Sequence, residues 1–275
     1  MAKKIVMLLA CLGCQMSASS GTLPPSNVDS KDSLDIIEDT PVQDSPVKMI
    51  EFPLDGEVLA QPLQQTECIQ QYTDCVQTSD IGFVPVYRSS IEEIDEQTLQ
   101  HMMNVTWREG CPVHYSDLRK VRFVHWNLTG GIQWGELIVH KDVAIEIEQI
   151  FGELYSLSFP MNSVKPMYHF GGSDDASMTD NNTSSFNCRK VKNSVRYSEH
   201  SYGTAIDINP FFNPWVQGTR VDPPTAGLYA DRTMQIPGVI LVHSDIVQIF
   251  KKYGWFWGGT WRSAQDYQHF SKSGK

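Results

Sequence analysis

Apolar positions in residues 118–160 repeat with two different periods. Residues 121–128 and 136–139 are rich in β-branched and aromatic side chains, and a Thr-Gly-Gly segment lies between the two runs. This pattern predicts two strands joined as a hairpin. The next apolar residues recur at helical spacing, at Val143, Ile147, Ile150, Leu154 and Leu157. They predict a helix that Asp142 caps and that Pro160 closes.

Shorter elements are predicted in the remainder of the chain. Side chains of residues 204–209 alternate between the two faces of a predicted strand. Thr204, Ile206 and Ile208 lie on one face, and Ala205, Asp207 and Asn209 on the other. Ser244 is expected to cap a second helix that runs to Tyr253, and the aromatic tail 255–270 is expected to return to the sheet. A short strand is predicted at Met167–Phe170. Because helices and strands mix without a regular strand–helix–strand rhythm, the predicted class is α+β.

The first 94 residues differ in character from the others. Two lysines precede a short apolar run that contains Cys11 and ends near Cys14, an order typical of a secretory signal peptide. Residues 1–14 are therefore predicted to be a signal peptide of the lipoprotein type, with the choice of lipidated cysteine left open. Residues 15–57 are acidic and poor in aromatics, which predicts a disordered tether. Residues 58–94 form an extension without recognisable features.

Composition and charge argue against two classes of partner. The 275 residues include 22 Lys and Arg against 32 Asp and Glu, a net charge of −10. Such a chain neutralises few phosphates, so nucleic acid is not an expected partner, and no apolar run approaches the ~20 residues that span a bilayer. The hydrophobic fraction of 41% is that of an ordinary water-soluble domain, predicted over residues 95–272. We expect an exported monomer in the periplasm or cell envelope, held to the membrane only by a lipid anchor.

Cysteine usage agrees with export. If Cys14 is lipidated, an even number of cysteines remains for an oxidising compartment, namely Cys68, Cys75, Cys111 and Cys188. A local pair of Cys68 with Cys75 would leave Cys111 with Cys188. Three connectivities are possible in total, and free buried thiols are an alternative to all of them.

Three polar segments carry residues suited to metal binding or proton transfer. His200 lies before a turn and Asp207 on the polar face of the next strand, so a divalent metal could bind both. Asp266 and His269 lie three residues apart, after a tryptophan-rich run whose two glycines indicate backbone packed beside a cleft. Arg189, beside a metal, could hold a substrate carboxylate or polarise a carbonyl. Each segment alone is weak evidence.

Together these segments resemble one family. Ser-x-His-x-x-Gly-x-Ala-x-Asp from Ser198, Trp-Gly-Gly-x-Trp from Trp257 and Asp-x-x-His from Asp266 are similar to the zinc D-Ala-D-Ala carboxypeptidase family of peptidoglycan peptidases. The stretch Asn-Thr-Ser-x-Phe-Asn-Cys-Arg at 182–189 resembles the branch that contains phage and bacterial L-alanyl-D-glutamate endopeptidases. The resemblance covers residues 95–272 and none of residues 20–94.

The resemblance implies both a fold and a set of roles. The implied fold is a small antiparallel sheet flanked by helices, the hedgehog/DD-peptidase type. The implied roles are zinc ligands at His200, Asp207 and His269, a general base and acid at Asp266, carbonyl stabilisation by Arg189, and a supporting active-site role for Ser198. Two imidazoles and one carboxylate leave a fourth position on Zn²⁺ open for water, as in catalytic sites. The implied substrate is the stem peptide of peptidoglycan.

Alternative functions stay open at this point. The motifs do not decide between an endopeptidase and a carboxypeptidase. A non-catalytic, zinc-containing wall-binding lipoprotein is the main alternative, although a structural zinc site would need neither Asp266 nor Arg189. A general secreted protease is a third possibility.

Overall fold

The computed structural model describes residues 75–78, 82–192 and 194–275, all within one unit that spans Phe52–Lys275. A three-stranded antiparallel sheet has the order β3-β4-β5, formed by β3 (Ser89–Glu93), β4 (Leu118–Trp126) and β5 (Ile132–His140). Leu118 faces His140 at one end of the β4–β5 ladder and Trp126 faces Ile132 at the other. The predicted hairpin is therefore confirmed.

Helix α2 (Ala144–Ser156) packs on this sheet through the apolar stripe predicted from its spacing. Ile147, Ile150 and Leu154 are fully buried, and the rings of Phe123 and Phe151 lie 4.2 Å apart between centroids. Burial of a side chain of this size contributes about 1.5–3 kcal/mol. The stripe therefore fixes the helix to the sheet.

The predicted ends of this helix are wrong. The N-cap residue is Val143, which makes no side-chain capping hydrogen bond. The carboxylate of Asp142 lies instead 3.4 Å from Nδ1 of His140. At the other end the helix stops at Ser156, and Leu157 is exposed beyond it.

Two further helices flank the sheets. Helix α1 (Glu96–Met102) begins after Asp95, and helix α4 (Asp245–Lys252) begins after Ser244. Ser244 is the N-cap residue as predicted, although its hydroxyl bonds to the backbone of Leu241. Helix α4 buries Ile246, Val247, Ile249 and Phe250 in the same core as α2.

A second antiparallel sheet joins distant parts of the chain. Its order is β11-β13-β8, formed by β11 (Phe256–Trp257), β13 (His269–Ser271) and β8 (Ala205–Asp207). The predicted return of the aromatic tail to a sheet is confirmed. Ile206 and Phe270 face each other across β8 and β13 and are fully buried in the main core. The core thus lies directly under the strands that carry Asp207 and His269.

The remaining elements are short. A third sheet consists of β9 (Trp215–Gln217), β10 (Arg220–Asp222) and β12 (Gln265–Asp266), in the order β10-β9-β12. Two further pairs are β1 (Cys75–Thr78) with β2 (Gly82–Pro85), and β6 (Ser163–Val164) with β7 (Asn182–Thr183). The short helix α3 spans Asp174–Thr179. The fold class is α+β, with small antiparallel sheets and several helices. No helix in the described part of the chain is long and apolar enough to span a membrane.

The strand predicted at Met167–Phe170 is wrong, because this segment is a 3₁₀ helix. Pro166 precedes it and Gly171 ends it with a φ of +61°. The N–H of His169 donates to the carbonyl of Pro166, and that of Gly171 to Tyr168. These local turns satisfy backbone groups that a strand would have paired with a neighbour.

Cys111 and Cys188 form a disulfide across a sequence separation of 77 residues. Closing a loop of this length stabilises a fold by about 4.5 kcal/mol in the chain-entropy model. One of the three open connectivities therefore agrees with the structure, whereas Cys68 lies outside the described residues. The predicted signal peptide and tether also lie outside them, and β3 belongs to the segment 58–94.

Candidate metal centre

His200 is positioned by a single turn. It lies in a 3₁₀ helix at Glu199–Tyr202, and the hydroxyl of the N-cap residue Ser198 accepts its backbone N–H at 3.4 Å. Gly203 ends the turn with a φ of +67°, and a Cβ there would lie 2.6 Å from the backbone nitrogen of His140. Only glycine therefore fits at this position. Strand β8 follows at once and ends at Asp207.

Strand pairing brings the third residue to the same point. His269 faces Asp207 directly in the β8–β13 register. Asp207 Oδ1 lies 3.0 Å from His269 Nδ1, and Asp207 Oδ2 lies 3.2 Å from His200 Nε2. The two imidazole nitrogens are 3.3 Å apart. Among the described residues these three are the only cluster of this kind, with all ligand atoms within 4.8 Å of one another.

Each imidazole is oriented by a main-chain oxygen. His200 Nδ1 donates to the oxygen of Ser185 at 2.7 Å, and His269 Nε2 donates to the oxygen of Lys275 at 3.1 Å. In the neutral form of each ring the proton lies on this nitrogen, which would leave the lone pairs of His200 Nε2 and His269 Nδ1 for a cation. Oxygen partners of this kind commonly orient metal-ligating histidines. Two nitrogens and a carboxylate fit a divalent cation such as zinc.

Electrostatics at the cluster favours a positive charge. Burial opposes ionisation of Asp207, but the facing His200 and His269 outweigh it and hold the pKa of this carboxyl well below its usual range. Burial lowers the pKa of His269, yet its hydrogen bond to Asp207 and the nearby carboxylates raise it to about 9. Asp207 therefore stays ionised and attracts a cation or a proton to this position.

Asp266 lies beside the cluster at the end of β12, opposite Trp215. Its Oδ1 atom is buried and has no hydrogen-bond partner among the described residues. Burial raises the pKa of Asp266 to about 6, although the charge of His269 opposes the shift. A carboxyl with this pKa can both accept and release a proton near neutral pH.

Gly258 provides the close backbone contact predicted from the tryptophan-rich segment. A Cβ at this position would lie 2.8 Å from the carbonyl oxygen of Asp266 and 3.4 Å from Cβ of His269. The ring of Trp261 also packs 5.4 Å from that of His269. The predicted packing of glycine backbone beside the site is confirmed for Gly258.

Arg189 and Ser198 lie next to the cluster without contacting its ligand atoms. The backbone N–H of Arg189 donates to Ser201 Oγ, in the turn that carries His200. Its Nε atom is buried and forms an ion pair with Asp174 Oδ2 without a hydrogen bond. Within the described residues no hydrogen bond or ion pair joins this side chain to the three ligands. Ser198 acts as the cap of the turn.

Several participants were missed by sequence reasoning. The oxygens of Ser185 and Lys275 act through the main chain, so no residue type signals them. Asp174 begins the short helix α3, in a polar segment that carries no recognisable motif. For Ser185 the sequence did offer a signal: it lies within the family-like stretch 182–189, which precedes the turn that carries His200.

Comparison with known proteins agrees with the site. Residues 192–272 match the model of a family described as D-alanyl-D-alanine carboxypeptidase. The match covers less than a third of the chain but includes His200, Asp207, Asp266 and His269, whereas Arg189 precedes it. No curated protein and no solved structure gives a significant match. Residues 192–272 are therefore similar to the D-alanyl-D-alanine carboxypeptidase family, and the matched region contains the three candidate metal ligands together with Asp266.

Proposed function

We propose that this protein is a zinc-dependent peptidase that hydrolyses the stem peptide of peptidoglycan. The observation that carries the proposal is the cluster of His200, Asp207 and His269, with both imidazoles oriented by main-chain oxygens, inside the segment that matches the family. These three residues would hold the zinc ion. A bound zinc ion would act as a Lewis acid toward the scissile carbonyl and would make water nucleophilic near neutral pH.

Asp266 is the group that we propose to move the proton. Its carboxylate would accept a proton from the attacking water and then deliver it to the departing amine. The raised pKa of about 6 supports both steps, and the unpartnered Oδ1 atom supports a role toward a group outside the protein. Arg189 would stabilise negative charge on the carbonyl oxygen through its terminal nitrogens.

The donor set favours a catalytic over a purely structural metal. Structural zinc sites are closed by four protein ligands, whereas catalytic sites have three and leave one position for water or substrate. The cluster offers three ligands among the described residues, and a buried carboxyl with a free oxygen lies beside them. A wall-binding protein that kept zinc only for stability would need no such group.

The bond that is cut decides between the two peptidase types. Zinc-loaded protein would be incubated with defined muropeptides, and the products would be identified by mass spectrometry. Loss of a terminal D-Ala would identify a carboxypeptidase, and a cut after L-Ala an endopeptidase. Binding of the wall fragments without any product would refute the proposal and favour the non-catalytic alternative. Strong cleavage of casein would argue against wall specificity.

A further inference from the structure

We infer that Asp174 is a positioning residue, which holds the guanidinium of Arg189 by one edge and leaves its terminal nitrogens for the substrate. The inference rests on the proposed function, in which Arg189 acts on the scissile carbonyl. Asp174 is the first residue of α3, and its Oδ2 atom forms an ion pair with Arg189 Nε. Both side chains are about one-third exposed, at 33% and 34%. The pair therefore lies at the border between interior and solvent.

The backbone of Arg189 is fixed independently of this ion pair. Its N–H donates to Ser201 Oγ at 2.9 Å, and its carbonyl accepts from the same hydroxyl at 2.7 Å. The carbonyl also accepts the N–H of Ser198 at 3.0 Å. All three contacts lead to the turn that carries His200. These hydrogen bonds therefore fix the position of the Arg189 Cα relative to His200, a proposed metal ligand.

Asp174 is itself held by the same part of the structure. Asn187 Nδ2 donates to Asp174 Oδ1 at 3.0 Å and to the carbonyl of Gly172, also at 3.0 Å. Asn187 is 3% exposed, and its backbone N–H donates to the carbonyl of His200 at 3.2 Å. Asp174 therefore has one oxygen on a buried amide and the other on the guanidinium.

The terminal nitrogens of Arg189 are left without a protein partner among the described residues. An arginine fork presents several N–H groups, of which the Nε edge is occupied by Asp174. Because the backbone of Arg189 and one edge of its guanidinium are already fixed, the side chain loses less conformational freedom when it binds the developing negative charge. This arrangement differs from a surface ion pair because its carboxylate is braced by a buried amide.

The first test compares Asp174→Asn with Asp175→Asn, the exposed next residue of the same helix. We expect Asp174→Asn to lower kcat about 10-fold to 100-fold with little change in KM. Zinc content and melting temperature should match those of Asp175→Asn. If Asp174 acts through Arg189, the double variant Asp174→Asn/Arg189→Ala should be no slower than Arg189→Ala alone. Additive losses, or equal kcat values for the two asparagine variants, would overturn the inference.

A second test does not depend on turnover. In the full chain labelled with ¹⁵N, the Nε–H signal of Arg189, assigned by its loss in Arg189→Lys, should shift in Asp174→Asn, because the carboxylate charge beside Nε is removed. It should keep its position in Asp175→Asn. An unchanged signal in Asp174→Asn would overturn the inference even in an active enzyme. A signal that shifts in Asp174→Asn, in a protein without any peptidase activity, would refute the proposed function and leave the contact between Asp174 and Arg189 established.

Discussion

Gly258 shows how a single missing side chain shapes the site. Its backbone passes so close to Asp266 that a Cβ would lie 2.8 Å from the carbonyl oxygen and 3.0 Å from the Cβ of that residue. Atoms at these distances must move apart, and the nearest one belongs to the backbone rather than to a flexible side chain. Asp266 would have to shift, whereas Cβ of His269, at 3.4 Å, would only come into van der Waals contact with the added Cβ.

We therefore predict that Gly258→Ala lowers turnover while the protein stays folded. Overpacking of this kind costs about 1–3 kcal/mol of unfolding free energy, whereas a misplaced proton-transfer group can cost about 100-fold in rate. Gly227→Ala is the matched control, because no atom lies within 4 Å of its Cβ position. Muropeptide hydrolysis and thermal unfolding measure the two effects. Equal kcat values for both variants would show that Gly258 does not set the position of Asp266.

At the scale of single elements, the N-cap residue of helix α1 also forms an ion pair with the neighbouring sheet. Asp95 Oδ1 accepts the N–H of Thr98 at 2.7 Å, and Asp95 Oδ2 lies 2.6 Å from Nζ of Lys120 on β4. The hydrogen bond from Lys120 and that from Thr98 hold the pKa of Asp95 well below its usual range. The cap therefore joins the helix to the sheet as well as satisfying its first turn.

Asp95→Ala should lower the unfolding free energy by about 1 kcal/mol at pH 7, the usual cost of a lost N-cap. The pKa of Asp95 is lower in the folded state than in the unfolded state, near 3.9. Its contribution is thus complete above that value and is lost as the pH falls further. The difference between the two proteins in urea unfolding should accordingly shrink below about pH 4. Glu109→Ala, an exposed carboxylate without a partner among the described residues, should show no such difference. A constant gap across pH would contradict the assignment.

The elements also show which local patterns were sufficient for prediction. β-rich composition located β4 and β5, alternation located β8, helical spacing located α2, and the capping residue Ser244 located α4. The helix start at Val143 and the 3₁₀ helix at Met167–Phe170 were mispredicted. Both depend on how a turn satisfies its own backbone groups, and the type of one residue does not determine this. Asp142 favours a capping position by residue type, but its carboxylate contacts His140 instead.

At the scale of the whole molecule, the site depends on contacts between distant parts of the chain. Asp207 and His269 are 62 residues apart, and only the β8–β13 register brings them together. Between them Arg232 ties the intervening loop by donating to the carbonyls of Phe212, Tyr229 and Ile240. No periodicity in the sequence predicts such pairing. The family resemblance supplied the ligand set, whereas the orienting main-chain oxygens and Asp174 came from the structure.

The proposed mechanism assigns different tasks to two residues only three positions apart. His269 faces Asp207 at 3.0 Å and would bind the metal, whereas Asp266 lies beside the cluster with a free oxygen and would move the proton. A ligand contributes to metal affinity and, through it, to folding free energy. A general base instead raises the rate of the reaction, typically by about 10²-fold to 10⁴-fold.

The most direct measurement is zinc content by elemental analysis together with muropeptide hydrolysis, on the same preparations of Asp266→Asn and His269→Ala. We predict that His269→Ala loses zinc and with it activity. Asp266→Asn should keep close to one zinc per chain while its turnover falls by about 10²-fold to 10⁴-fold. Near-normal turnover in Asp266→Asn, or full zinc content in His269→Ala, would contradict the proposed mechanism.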